Sequence, residues 1–203
     1  MPIGDVAVGE QVRASKTNEI IDVVNRVGLV GVVPGSVSGT GVTVDAVGVV
    51  SVSGSTDIAV NNCFTSEFRN YRIFGESTGT AATAIFNFRN NTTDVTTANY
   101  DRTELLARNG AVSSSTNVAG SGWTIIGFAN TLMQWDIDIS APNLAVPTTA
   151  LSRGFVHSNP AVQNTSNGMV QNGLSHRLST AYNGFRIVLS NNQSGTIRVY
   201  GYN

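Results

Sequence analysis

From residue 63 onward the chain carries short runs in which apolar and polar side chains alternate with period two. The clearest is Trp135-Asp136-Ile137-Asp138-Ile139, with three apolar positions in phase and two aspartates out of phase. Successive side chains of a strand point to opposite faces, so this pattern predicts a strand with one buried and one wet face. Similar runs predict strands at 71–75, 84–89, 103–107, 123–129, 134–139, 148–157, 168–178, 185–189 and 195–202. Turn-forming residues separate them, among them Asn90-Asn91, Asn109-Gly110, Gly120-Ser121-Gly122, Asn183-Gly184 and Asn191-Asn192. Many short strands at this spacing predict an all-β domain over 63–203, specifically a jelly-roll-like β-sandwich.

The pattern changes upstream. Ile20, Ile21, Val24 and Val27 recur at helical spacing after the capping candidates Ser15 and Thr17, which predicts a short N-terminal helix over 15–27. About twelve residues make a marginal helix on their own, so its apolar stripe needs a surface to pack against. That surface is either the chain's own domain or a neighbouring copy or larger structure, which makes Ile20, Ile21, Val24 and Val27 candidate attachment or oligomerisation residues. A Val/Gly-rich strand connector follows, with short strands expected within 37–60 at 42–44, 50–52 and 57–60. They are bounded by Gly39-Thr40-Gly41 and Ser53-Gly54-Ser55. The expected organisation is an attachment and oligomerisation segment, 1–62, and a β-sandwich domain, 63–203.

Composition narrows the functional classes. Charged residues make up 12% of the 203, about half the usual share, and the formal net charge is −1. Only Lys16 among the 12 basic residues is a lysine. Such a balance gives no long-range attraction toward nucleic acid or an anionic membrane. No run of eighteen apolar residues is present, and residues 1–5 lack the basic and apolar regions of a signal peptide. The single cysteine, Cys63, rules out a disulfide within the chain.

Few constellations of chemistry-bearing residues are present. His157 and His176 have no partner at metal-ligand spacing, and nothing in the sequence pairs any two of the glutamates Glu10, Glu19, Glu67, Glu76 and Glu104. No catalytic residues, metal ligands or cofactors are expected. Asp136 and Asp138 project from the same face of one strand, either as a solvated face or as part of a calcium site. Trp123 follows a Gly-Ser-Gly turn and is either core or a stacking platform for a sugar. Tyr182 is the fourth candidate ligand-binding residue.

Several segments share a family pattern. Phe64-Thr65-Ser66-Glu67-Phe68-Arg69-Asn70-Tyr71-Arg72-Ile73, Asn99-Tyr100, Tyr182-Asn183-Gly184-Phe185-Arg186-Ile187 and the ending Gly195-Thr196-Ile197-Arg198-Val199-Tyr200-Gly201-Tyr202 resemble blocks of accessory virion proteins of tailed bacteriophages, of the capsid decoration and minor tail type. Residues 9–18 resemble the short attachment segment that precedes such modules. The resemblance covers most of 63–203. It implies a non-enzymatic virion protein on the outer surface of the particle, all-β and homotrimeric, with the major capsid protein or other virion proteins as partners. It supplies no catalytic residues. A head decoration protein is the first expectation, and a minor tail or fibre-tip protein that binds host surface glycan is the second.

Overall fold

The computed structural model describes residues 28–79, 82–108, 111–128, 132–157 and 168–203. The expected helix over 15–27, with Ile20, Ile21, Val24 and Val27, lies outside the described residues. Those residues form an all-β antiparallel network: β1 (Val30–Val32), β2 (Ser36–Ser38), β3 (Val42–Val44), β4 (Val50–Asn61), β5 (Asn70–Gly79), β6 (Ala82–Asn90), β7 (Thr93–Asp94), β8 (Tyr100–Arg108), β9 (Ala111–Gly120), β10 (Trp123–Phe128), β11 (Leu132–Ser140), β12 (Thr148–His157), β13 (Gly168–His176) and β14 (Gly184–Tyr202). Hydrogen bonding links them in the order β10-β6-β14-β5-β11-β12-β13-β8-β9, with β4 also running along β14 and carrying β2 and β3.

Strand β14 organises this network. Its first part, 184–189, pairs with β6, and its last part, 193–202, pairs with β5. Its other edge pairs with β4 on both sides of a register shift near Gln193. The two strands bend together there. Gly54 of β4 lies at φ 65°, a conformation that costs glycine little and lets an extra residue enter the ladder. Its N–H is taken by the Ser194 hydroxyl of β14, 2.9 Å away. Ser53-Gly54-Ser55 and Asn191-Asn192 therefore mark bends inside continuous strands, where the sequence suggested turns between separate ones.

The bend brings the β6–β10 part of the network against β8, β12 and β13, which contact β10 without forming a ladder with it. Aromatic rings fill the space between. Phe86 stacks on Trp123 and Phe185, and Phe88 stacks on Tyr182 with centroids 4.5 Å apart. The strands of 30–61 are hydrogen-bonded into the same network as those of 63–203, and Val50, Val52, Ile58 and Val60 belong to the same core cluster.

Segments 63–73, 182–187 and 195–202 converge at one end of this core. The backbone N–H groups of Cys63 and Phe64 both donate to the Asn183 carbonyl. The Phe64 ring lies 4.9 Å from Tyr71 and 6.0 Å from Phe185. In the β5–β14 ladder Tyr71 pairs with Gly201 and Ile73 with Val199. Gly201 must stay small, because a Cβ there would come within 2.1 Å of the buried Phe68 ring. Overpacking of this kind costs about 1–3 kcal/mol. Gly201→Ala is thus expected to lower the unfolding free energy by about 2 kcal/mol in urea titration. Gly31→Ala, whose Cβ meets nothing within 4 Å, is expected to change it by no more than about 0.5 kcal/mol.

Candidate functional site

Trp123 and Tyr182 do not reach the surface. Trp123 begins β10 with its ring directed inward, in phase with buried Ile125, and its indole N–H donates to the Ser175 carbonyl at 3.1 Å. Tyr182 is buried against Phe88, with its hydroxyl 3.0 Å from His176 Nδ1. Neither ring can offer a stacking face to a ligand. Both aromatics serve the core because each polar tip finds a buried partner there, which removes the usual cost of burying it.

Asp136 and Asp138 do lie on the outer face of β11, as the alternation predicts. Cross-strand register supplies their neighbours. Asp136 stands opposite Phe74 of β5 and Arg153 of β12, and Asp138 stands opposite Arg72 and Leu151. Arg72 donates to Asp136 through Nε at 3.1 Å and Nη2 at 2.9 Å. Arg153 donates from the other side through Nε at 3.1 Å and through Nη2. Both carboxylate oxygens are therefore occupied by guanidinium N–H groups. Asp138 accepts from the Tyr202 hydroxyl. Burial first, and then this bond to a carboxylate, push the Tyr202 phenol up to about 12. No group of three or more potential metal ligands occurs among the described residues.

The clamp around Asp136 lies in a groove of about 520 Å³ on the outer face of β14, β5, β11, β12 and β13. Phe74 and Phe155 give it apolar walls, and Arg153, Arg198, Glu76 and Gln134 give it polar ones. The Arg72 guanidinium sits 4.8 Å over the Phe74 ring, and Tyr200 meets that ring edge-on at 5.6 Å. Gln134 Nε2 donates to Glu76 at 3.0 Å. Arg198 stands opposite Phe74 in the ladder, three strands from Arg153, so their Cα atoms are about 14 Å apart at ordinary strand spacing. Rigid aromatic surface beside forked donors suits a polar ligand with flat apolar faces, such as a sugar chain. Of the four candidate ligand-binding residues only Asp136 lines this groove. Phe74, Phe155, Arg153 and Arg198 come from three strands far apart in sequence, β5, β12 and β14, and no local motif joins those strands.

A second charged cluster ties the outer face of the other arm. Arg186 of β14 holds Asp57 of β4 through Nε at 2.7 Å and Nη2 at 2.6 Å, and holds Asp94 of β7 through Nη1 at 2.5 Å. Arg89 also pairs with Asp94, at 2.7 Å. The single thiol is inert by placement: Cys63 is fully buried, and burial pushes its pKa far above the ordinary range.

Among the described residues, His176 is the group whose shift falls in the acidic range. Desolvation, aided by the Arg177 charge and opposed by Asp101, lowers it from 6.5 to about 4. Between those pH values the unfolded chain takes up a proton that the folded chain refuses. Stability therefore falls as pH drops from 6.5 to about 4, by up to about 3 kcal/mol, and this loss levels off below 4. His176→Phe is expected to lower stability at pH 7, because Tyr182 loses its partner, and to flatten the dependence between pH 6.5 and 4. Thermal melts of both proteins across that range check it.

No protein-family model matches the chain, and no curated protein matches it. Among solved structures it is similar to the binding domain of botulinum neurotoxin serotype G, with a TM-score of 0.25 and 11% sequence identity. The match covers 86% of this chain and 44% of that one.

Proposed function

We propose that this chain is a non-enzymatic structural protein of a tailed-bacteriophage particle, displayed on its outer surface as a trimeric capsid decoration protein. One observation carries the reading. Residues 64–73 resemble phage accessory virion proteins, as do 182–187 and 195–202 far along the chain, and these three segments meet in one packed unit. There Phe64, Tyr71 and Phe185 touch, Asn183 closes the chain at Cys63 and Phe64, and Gly201 makes room for Phe68. Residues that depend on one another physically are the ones expected to recur together in a family. In this reading the two packed arms of the network are the layers of a jelly-roll-like sandwich. Residues 1–62 supply attachment and subunit packing, and the major capsid protein is the partner. Purified full-length chain is expected to bind particles assembled without it, and a variant lacking residues 1–27 to bind at least tenfold less. Equal incorporation of the two, measured by particle sedimentation, would sink this reading.

The outer-face groove favours a second reading, a minor tail or fibre-tip protein that binds host surface carbohydrate. Phe155 and Phe74 would meet the apolar faces of the sugar, and Arg153 and Arg198 its hydroxyl or carboxylate oxygens. A glycan array is expected to show binding that Phe155→Ala and Arg198→Ala each weaken by tenfold or more. An array with no hit for the unaltered protein would remove it.

A further inference from the structure

Strand β9 is anomalous. It pairs with β8 alone and ends the strand order, so one of its edges meets no other strand among the described residues. Nine of its ten residues are exposed, which means that neither face is covered. It contains no ionisable side chain and no proline. Natural edge strands are usually kept from pairing by charge, proline, a strong bulge or short length. Over most of its length β9 has none of these: its irregularity is confined to the end near Tyr100 and Gly120.

The face beside this edge is apolar. The ladders place Phe155 opposite Met169, Met169 opposite Ala107, and Ala107 opposite Val112. This row therefore crosses four strands, from the rim of the groove to the bare edge. Leu105 lies two residues along β8 from Ala107, on the same face, opposite Ser114. Met169 is 52% exposed, Leu105 48% and Val112 69%. Four adjacent apolar positions that end at an unpaired strand form a surface of the kind used for association.

We infer that β9 and the Leu105–Met169–Val112 patch form an interface with a second copy of this chain, closed by strand-to-strand hydrogen bonding at the β9 edge. The absence of charge argues for a copy as the occupant. The patch and the edge contain no ionised group, so two identical surfaces meet without like-charge repulsion and without stranding a partner's charge. A row of backbone N–H and C=O groups is also self-complementary, because an antiparallel ladder needs only another extended backbone. The inference is independent of the virion reading, and it adds a contact in the β domain to the subunit packing proposed for residues 1–62.

Sedimentation and light scattering on the full-length chain supply the test. The unaltered protein is expected to be an oligomer at micromolar concentration. A twofold mass would correspond to β9 on β9. A threefold mass would correspond to β9 against a different edge, of which β10, bonded among the described residues to β6 alone, is one. Ser114→Lys and, separately, Leu105→Lys are expected to raise the dissociation constant at least tenfold. Val47→Lys, at an exposed turn residue far along the chain, should leave it unchanged. All of these positions are exposed, and circular dichroism confirms that each variant folds. A monomeric unaltered protein would overturn the inference, and so would folded lysine variants that associate like the parent. If instead removing residues 1–27 dissociates the oligomer while the lysine variants leave it intact, the β9 interface is refuted and the proposed role of residues 1–62 survives.

Discussion

A strand inside a sheet must hand every backbone N–H and C=O to a neighbour, since an unpaired buried group costs about as much as a lost hydrogen bond. Strand β14, 19 residues long, meets that demand along 184–189 and 193–202 while exchanging β6 for β5 along one edge. The exchange is feasible because β4 bends with it on the other edge, through a glycine that accepts the required backbone conformation. From this bend follow the position of β6 and β10 over β8, β12 and β13 and the enclosure of the aromatic core. The run of strands β5-β11-β12-β13 that carries the outer groove begins on its far side.

The core that results is aromatic with polar tips inside. Trp123, Tyr100 and Tyr182 each place a hydrogen-bonding group in the interior, and each finds a carbonyl, an amide or an imidazole. Asn172 does the same between Ser152 and the Ile125 carbonyl. Such contacts are directional, so they fix how the two arms sit on each other more sharply than aliphatic packing alone. The outer faces rely on a different device: Arg72 and Arg153 close on Asp136, and Arg186 closes on Asp57 and Asp94, which clamps neighbouring strands from outside.

The strands legible in the sequence were those with one buried and one wet face, β11 above all. The bends were misread because the residues that terminate strands also permit a strand to turn a corner; Gly54 and Asn191-Asn192 carry the same local signal in either case. Strand β9 was not legible, since Ala111-Val112-Ser113-Ser114-Ser115-Thr116 has no alternation and is a strand only through its ladder to β8. Asp136 was placed on the correct face, but its arginine partners depend on register between strands distant in sequence. Trp123 was left open between core and surface, and Tyr182 was weighed as a ligand-binding aromatic, because sequence does not reveal that Ser175 and His176 wait for their polar atoms.

The chain's lone sulfhydryl is enclosed, and its protonated form is strongly favoured, so alkylating reagents meet no competent nucleophile on the folded molecule. A cysteine introduced anywhere on the exterior becomes the sole address for a fluorophore or spin probe. Interprobe distances within assemblies can then be measured without first altering the native residue.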